Sequence, residues 1–306
     1  MSTASHAPTP PSARLVALFA LIASAAAMGI SPVFVREAGV GPYTSAFYRV
    51  LLALPLLWAW ARLERRGADA PADPGWTRAQ IAAGVFFTID LFFWHLACLK
   101  TTIANATLLA TMAPVWVMLL SMVIGEKVTR PMLVGLAVCV AGGATLVGSS
   151  WRFAPERLLG DVYGIATSVG FGLYFLAVRV ARREASAGVI LWRSSIVTAA
   201  LLGLVAVTLE NAWVPATLGG VAALIAMASI SHVGGQGLLA YALGHLSAAF
   251  SSLVIFLEAI AAALFGWLFF HETLGLLQGA GGLAILLGIW VARPREPAGA
   301  RDPRAA

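Results

Sequence analysis

The sequence GISPVFVR at residues 29–36 returns as GLYFLAVR at residues 172–179, and this repetition decides the predicted fold. The likeness continues along the chain at a nearly constant offset of 143–146 residues. The further matches pair Tyr48-Arg49 with Trp192-Arg193, Glu126 with Glu272, Gly135 with Gly281 and Gly142 with Gly288. No single match is specific, but their common order indicates that the chain contains two copies of one unit.

The composition is typical of a membrane protein. Of the 306 residues, 60% are hydrophobic and only 11% are charged, which is roughly half the charged fraction of a soluble domain. The net charge of +6 does not indicate a nucleic-acid partner, because the arginines lie between apolar runs, where they set topology. Both cysteines, Cys98 and Cys139, lie within apolar runs, so no disulfide framework is predicted.

Ten apolar segments have about the 20 residues that a helix needs to cross a bilayer. They cover residues 14–35, 44–62, 79–99, 102–124, 131–149, 160–181, 188–209, 218–242, 246–270 and 274–292. If the amino terminus is inside, 14 Lys and Arg residues lie on the inner side and four on the outer side. This bias predicts a multi-pass protein of the inner (cytoplasmic) membrane with both termini in the cytoplasm.

Each copy of the repeat contains five of the ten segments. Because five is odd, the second copy must enter the membrane in the opposite orientation, as in many secondary transporters. We therefore predict an all-α integral membrane protein with ten transmembrane helices arranged as two inverted five-helix repeats. The predicted order is a disordered tail (1–13), the first repeat (14–149), a linker (150–159), the second repeat (160–293) and a disordered tail (294–306).

Two segments carry a family resemblance. TTIANATLLATMAPVWVMLLSMVIGEKVT (101–129) and FLEAIAAALFGWLFFHETL (256–274) resemble the fourth and ninth spans of EamA-type transporters, in the drug/metabolite transporter superfamily. The resemblance covers the chain apart from its tails. It implies that spans 1–4 and 6–9 surround a cavity, with spans 5 and 10 peripheral. The chain departs from the family pattern at two positions: Ala259 follows Glu258 where the family usually has a proline, and His271 replaces the glycine before Glu272. These departures put the bend of the ninth span in doubt.

Ionisable residues inside predicted spans are costly and usually face a cavity or a partner. Asp90 and Glu258 are therefore candidates for proton coupling, and Arg49 and Arg193 are candidate charge partners within the membrane. A structural ion pair between Asp90 and Arg49 is the alternative. Prolines within the spans, among them Pro32, Pro55 and Pro114, leave backbone carbonyls unpaired, and Pro114 is a candidate kink near the cavity.

The candidate substrate-binding residues are polar or aromatic side chains within the predicted spans. They are Trp94, His95, Asn105, Tyr174, His232, Gln236 and Tyr241. His95 is five residues beyond Asp90, which is about 7.5 Å along a helix and roughly 140° around it, so the two predict separate contacts. His232 and Gln236 are four residues apart and share one face of an α-helix. For every one of these residues, helix packing is the alternative role. Glu126 and Glu272, at span ends, are expected to cap a helix or to pair.

The predicted function is a secondary transporter that exports small organic metabolites. The family resemblance makes amino acids the first expectation and proton antiport the expected energy source, whereas multidrug or amphipathic-cation export is the alternative. A channel is a weaker alternative. An enzyme is not predicted, because HETL (271–274) lacks the second histidine of HExxH and no GxSxG occurs. The expected partners are a small solute, the lipid bilayer and protons. We predict no metal, no cofactor and no nucleic acid.

Overall fold

The computed structural model describes residues 11–66, 73, 75–100, 106, 109–147, 158–271 and 275–294. Most of the two predicted tails, most of the linker and Glu272 lie outside the described residues. Where the structure is described, the chain is helical apart from short connections. The first helix begins at Pro11, within the range predicted as a tail.

Fourteen α-helices make up the described chain. In the first repeat they are α1 (Pro11–Gly29), α2 (Ser31–Glu37), α3 (Pro42–Leu51), α4 (Leu54–Arg65), α5 (Arg78–Lys100), α6 (Ala113–Ser121) and α7 (Arg130–Val147). In the second they are α8 (Leu158–Ala181), α9 (Ala187–Leu209), α10 (Leu218–Ala226), α11 (Gly237–Ala242), α12 (Ala248–Val254), α13 (Leu257–Phe270) and α14 (Leu276–Ala292). A 3-10 turn (Met122–Ile124) follows α6, and a π-helix (Met227–Gln236) joins α10 to α11.

Among the residues that the structure describes, seven helical segments are long and apolar enough to cross a membrane. They are Ser12–Glu37, Pro42–Arg65, Arg78–Ala97, Leu158–Ala181, Ala187–Leu209, Leu218–Ala242 and Ala248–Phe269. Three shorter apolar helices, Ala113–Ile124, Arg130–Leu146 and Leu276–Ala292, coincide with the predicted fourth, fifth and tenth spans. The helical, multi-pass character of the chain is therefore established, whereas the number of ten spans remains a prediction.

Three predicted spans are interrupted beside a proline. Pro32, Pro55 and Pro114 stand in the first turns of α2, α4 and α6. A proline has no backbone N–H to donate, so the first helical turn is the position where it costs least. The predicted kink at Pro114 is confirmed.

The ninth span also bends, although Ala259 replaces the proline of the family pattern. The bend lies between α12 and α13. The Glu258 N–H donates to the carbonyl of Ile255 at 2.8 Å, and the Ala259 N–H donates to that of Phe256 at 3.1 Å. Bonds to the third preceding residue tighten the helix into a 3-10 turn. The bend therefore does not depend on proline.

Helices α7 and α14 pack through small residues. A Cβ added to Gly135 would lie 2.5 Å from the Gly288 carbonyl oxygen, and one added to Gly142 would lie 2.8 Å from that of Gly281. The residue order rises in one helix as it falls in the other, so the helices are antiparallel. The repeat equates Gly135 with Gly281 and Gly142 with Gly288. Replacing each glycine by its equivalent in the other repeat therefore turns the Gly135–Gly288 contact into the Gly142–Gly281 contact. A two-fold axis that relates the repeats has this property.

Helices α5 and α8 form the second long antiparallel pair. The rings of Phe93 and Tyr163 lie 5.7 Å apart, and those of Phe87 and Tyr174 lie 4.8 Å apart. Between them, Gly170 lies so close to Asp90 that an added Cβ would be 2.8 Å from the Asp90 backbone nitrogen. Because α5 belongs to the first repeat and α8 to the second, this pair joins the two halves beside Asp90.

Candidate functional site

A cavity of about 130 Å³ lies where the interrupted spans meet. Both repeats contribute residues to its wall. The wall includes residues at or next to the breaks of the first, fourth and ninth spans, namely Ser31, Pro32, Ala113, Pro114, Ile255 and Phe256. Non-helical backbone inside a membrane is tolerated where it lines a cavity. Of the described lining residues, none belongs to α7 or α14.

Three charged side chains line this cavity: Arg49 of α3, Asp90 of α5 and Glu258 of α13. Arg49 is only 8% exposed and Asp90 only 9%, while Glu258 is partly exposed. The Arg49 side chain donates from Nη1 to Ser31 Oγ at 3.2 Å. Its buried Nε has no acceptor among the described residues. Within the described residues, the guanidinium thus makes one hydrogen bond, and its Nε keeps a donor without a partner.

The three charges do not form direct ion pairs. Within the described chain, neither Asp90 nor Glu258 has an oxygen within 4.0 Å of the Arg49 nitrogens. Arg49 nevertheless interacts electrostatically with both carboxylates. The structural Asp90–Arg49 ion pair, which was one interpretation of these residues, is therefore not formed. The three charged side chains therefore line one cavity without direct ion pairs among them.

Five aromatic side chains contribute to the rest of the cavity wall. The aromatic lining residues are Phe87, Trp94, Phe171, Phe175 and Phe256. Gln236 adds an amide, whose Nε2 donates to the sulfur of Met28 at 3.0 Å and whose buried Oε1 has no partner in the described part of the chain. The wall thus combines flat apolar surfaces with a few polar groups, which is the usual make-up of a small-molecule site.

The candidate residues from the sequence fall into two groups. Trp94, Gln236, Asp90, Glu258 and Arg49 line the cavity together. The described residues that do not line it are His95, Tyr174, His232, Tyr241 and Arg193. Asn105 lies outside the described residues.

His95 is held by its own helix. Its Nδ1 lies 2.6 Å from the Leu91 carbonyl oxygen, and its ring contacts Tyr43 and Trp94. Its buried Nε2 has no partner among the described residues. Because Asp90 faces the cavity and His95 does not, the two residues make separate contacts, as their spacing predicts.

The polar residues of the eighth span contact different helices. His232 Nε2 bonds to Ser195 Oγ of α9 at 2.9 Å, whereas Gln236 contacts Met28 of α1. Residues Met227–Gln236 form a π-helix instead of the α-helix on which the prediction of one shared face is based. Residues four apart are still close to one full turn in a π-helix, so the different partners do not contradict a shared face.

Arg193 pairs with a residue that the sequence did not single out. It donates from Nη2 to Asp73 Oδ2 at 2.8 Å and from Nη1 to the Gly75 carbonyl. Asp73 lies between α4 and α5 and also contacts Arg65 at 3.2 Å. The hydrogen bond from Arg193 holds the pKa of Asp73 below its usual value. The partner of Arg193 is thus in a connection, outside the cavity.

A second polar cluster, away from the cavity, joins α8 and the first turn of α12 to two residues that lie just beyond helix ends. Arg179 Nε donates to Glu126 Oε1 at 2.6 Å, and Arg179 Nη1 donates to the Leu243 carbonyl at 2.6 Å. The Ala248 N–H donates to Glu126 Oε2 at 2.8 Å. The prediction that Glu126 caps or pairs is confirmed, since it does both. From the sequence, its partner Arg179 is one of the basic residues on the inner side, and this pair is not predicted.

A helical membrane protein whose two repeats enclose a charged cavity belongs to the class of solute transporters. The sequence pattern of the EamA-like transporter family matches residues 15–148 and again residues 158–293. The chain therefore belongs to the EamA-like transporter family, and the internal repeat inferred from the sequence is confirmed.

Individual relatives agree with this assignment. An uncharacterized transporter of Archaeoglobus fulgidus is 26% identical over 277 residues, which cover 89% of this chain and 94% of that protein. The pseudopaline exporter CntI of Pseudomonas aeruginosa is 28% identical over 254 residues, which cover 80% and 82%. A solved crystal structure aligns with a TM-score of 0.76 at 20% identity over 93% of this chain and 99% of the other, which supports the fold.

Proposed function

We propose that this transporter exports small organic metabolites, with amino acids or similar zwitterions as its cargo. The observation that carries the proposal is the set of Arg49, Asp90 and Glu258 around one cavity without direct ion pairs. A guanidinium binds a carboxylate through two parallel hydrogen bonds, and a carboxylate binds an ammonium. A zwitterion carries both of these groups. One relative is named as an exporter, which supports this direction of transport.

The proposed mechanism is alternating access between two inverted five-helix repeats, residues 14–149 and 160–293. The antiparallel contact between α7 and α14 supports the inversion. The coincidence of three shorter helices with predicted spans supports a total of ten. The bias of lysine and arginine supports cytoplasmic termini in an inner-membrane protein. A cavity enclosed between such repeats can open to either side in turn.

Proton antiport is the proposed energy source, with Asp90 and Glu258 as the coupling groups. Both carboxylates line the same cavity as the cargo site. A solute ammonium and a proton would neutralise the same carboxylate, so they exclude each other. Such competition exchanges cargo for protons when the cavity opens first to one side and then to the other. Trp94 and Gln236, which line the wall, are the proposed side-chain contacts of the cargo. For His95, Tyr174, His232 and Tyr241 we propose a supporting role behind the wall.

Export of amphipathic cations is the second candidate function. The observation that favours it is that aromatic side chains, including Phe171, Phe175 and Phe256, line the same cavity as the carboxylates of Asp90 and Glu258. Aromatic faces attract organic cations. Arg49 argues against it, because a buried guanidinium repels a cation that carries no carboxylate.

Counterflow in proteoliposomes tests the proposal. Vesicles preloaded with an unlabelled amino acid mixture should accumulate labelled amino acids, and an imposed pH gradient should drive net flux. Vesicles without protein provide the background. Accumulation of lipophilic cations without amino acid exchange would favour the second candidate. Flux that does not saturate and shows no trans-stimulation would reject the carrier mechanism in favour of a channel.

A further inference from the structure

The charges of the cavity do not balance. Among the described lining residues, Arg49 is the one cation and Asp90 and Glu258 are the two anions, so the ionised set has a formal charge of −1. Arg49 and Asp90 are buried among apolar helices, and an unpaired charge is expensive in such surroundings. The bound cargo must therefore supply the missing positive charge, or a carboxylate must keep a proton.

The geometry provides a place for each charge of a cargo. Arg49 is oriented by Ser31 and has donors left over, including a buried Nε without an acceptor in the described chain. A solute carboxylate satisfies these donors in the bidentate manner of arginine. Asp90 and Glu258 come from different helices, α5 and α13, so they offer two anchoring points for cations.

We propose that the preferred cargo carries one carboxylate and two cationic groups, as a basic amino acid does, and so has a net charge of +1. This inference rests on the proposed function, since it defines the charge of the exported zwitterion. The carboxylate binds Arg49, one cationic group binds Asp90 and the other binds Glu258. The aliphatic chain between the cationic groups packs against the aromatic wall, where Phe256 and Trp94 lie.

Three solutes of similar length differ in which charged groups they carry, so they test each proposed charge contact separately. Lysine has all three groups, norleucine lacks the second amine, and cadaverine lacks the carboxylate. In counterflow with labelled lysine, unlabelled lysine should compete roughly tenfold more effectively than norleucine or cadaverine, because each analogue leaves a cavity charge unpaired. Equal competition by norleucine would overturn the inference while leaving amino acid export intact. Failure of all amino acids to exchange would reject the proposed function itself.

A charge-neutral substitution provides a second test. Glu258→Gln makes the charge of the lining zero, so the variant should lose the preference for lysine and exchange norleucine at least as well. Glu258→Asp keeps the charge and should retain the preference for lysine, which controls for a loss of shape. If Glu258→Gln exchanges both solutes but keeps the wild-type ratio, the assignment of the second cation to Glu258 is wrong. If the variant does not fold, the competition ratio of the wild type decides the proposal.

Discussion

Arg49 and Arg193 occupy equivalent positions of the two repeats, yet they have different partners. Arg49 donates to Ser31 at the wall of the cavity, whereas Arg193 donates to Asp73 in the connection between α4 and α5. One copy of the repeated arginine lines the cavity that we propose as the cargo site, and the other binds a connection. A substitution of Arg193 can therefore serve as the control for the same substitution of Arg49.

Replacing Arg49 by lysine should weaken cargo binding without removing the charge. Lysine cannot form the two parallel bonds of a guanidinium, so we expect the KM for exchange to rise roughly tenfold. Arg193→Lys is the matched control and should leave the KM unchanged. Exchange kinetics in proteoliposomes measure both. An unchanged KM in Arg49→Lys would remove Arg49 from the proposed site.

The Arg193–Asp73 bond should make thermal stability depend on pH. Because the pKa of Asp73 is lowered in the folded protein, its contribution is present above the ordinary aspartate pKa. That contribution is lost as the pH falls through the lowered value. Asp73→Asn should therefore lower the Tm at neutral pH, and its difference from the wild type should shrink on acidification. If the difference in Tm between Asp73→Asn and the wild type does not change with pH, the lower Tm of the variant results from packing and not from the ionised carboxylate.

The Glu126–Arg179 pair should contribute measurably to stability. Glu126 is only 9% exposed at its side chain and joins Arg179 to the first turn of α12. A double-mutant cycle with Glu126→Gln and Arg179→Gln should give a coupling energy of about 1–3 kcal/mol. Arg183→Gln is the control, since Arg183 donates to the Ile124 carbonyl from an exposed position. Unfolding in detergent measures the energies, and additive effects of the two substitutions would contradict the expectation.

His271 should be a position where glycine stabilises the protein. It ends α13 with a φ of 53°, in the left-handed region, and Gly125 has a φ of 80° at the equivalent position of the first repeat. A side chain is strained in this conformation, so His271→Gly should raise the unfolding free energy by about 1 kcal/mol. Gly125→Ala should lower it by a similar amount. The Tm values of both variants in detergent provide the measurement, and a lower Tm for His271→Gly would contradict the idea.

The sequence determines the helical, repeated character of the fold because apolar length and residue order are local properties. The helix breaks at Pro32, Pro55 and Pro114 can also be predicted from the sequence. A proline has no N–H to donate and interrupts the hydrogen bonds of a helix wherever it occurs. The bend before Glu258 has no such signal, because it depends on 3-10 bonds made by ordinary residues.

The candidate site was predicted less completely than the fold. Arg49, Asp90 and Glu258 could be found because charge inside an apolar segment is conspicuous. Their separation across the cavity depends on how distant helices pack, and one sequence does not contain that information. The contacts of His232 with α9 and of Gln236 with α1 likewise depend on how distant helices pack, and Asp73 lies in a polar connection where an acid is not unusual.

The glycine contact between α7 and α14 has a consequence for biogenesis. Gly135 and Gly288 come from the middle and the end of the chain, so the ribosome makes α7 long before its partner exists. During that interval, lipid must cover the glycine face of α7. When α14 is made, it displaces that lipid and packs against α7. The contact between α7 and α14 therefore forms only after α14 has been made, and the two halves made as separate polypeptides have a surface through which to find each other.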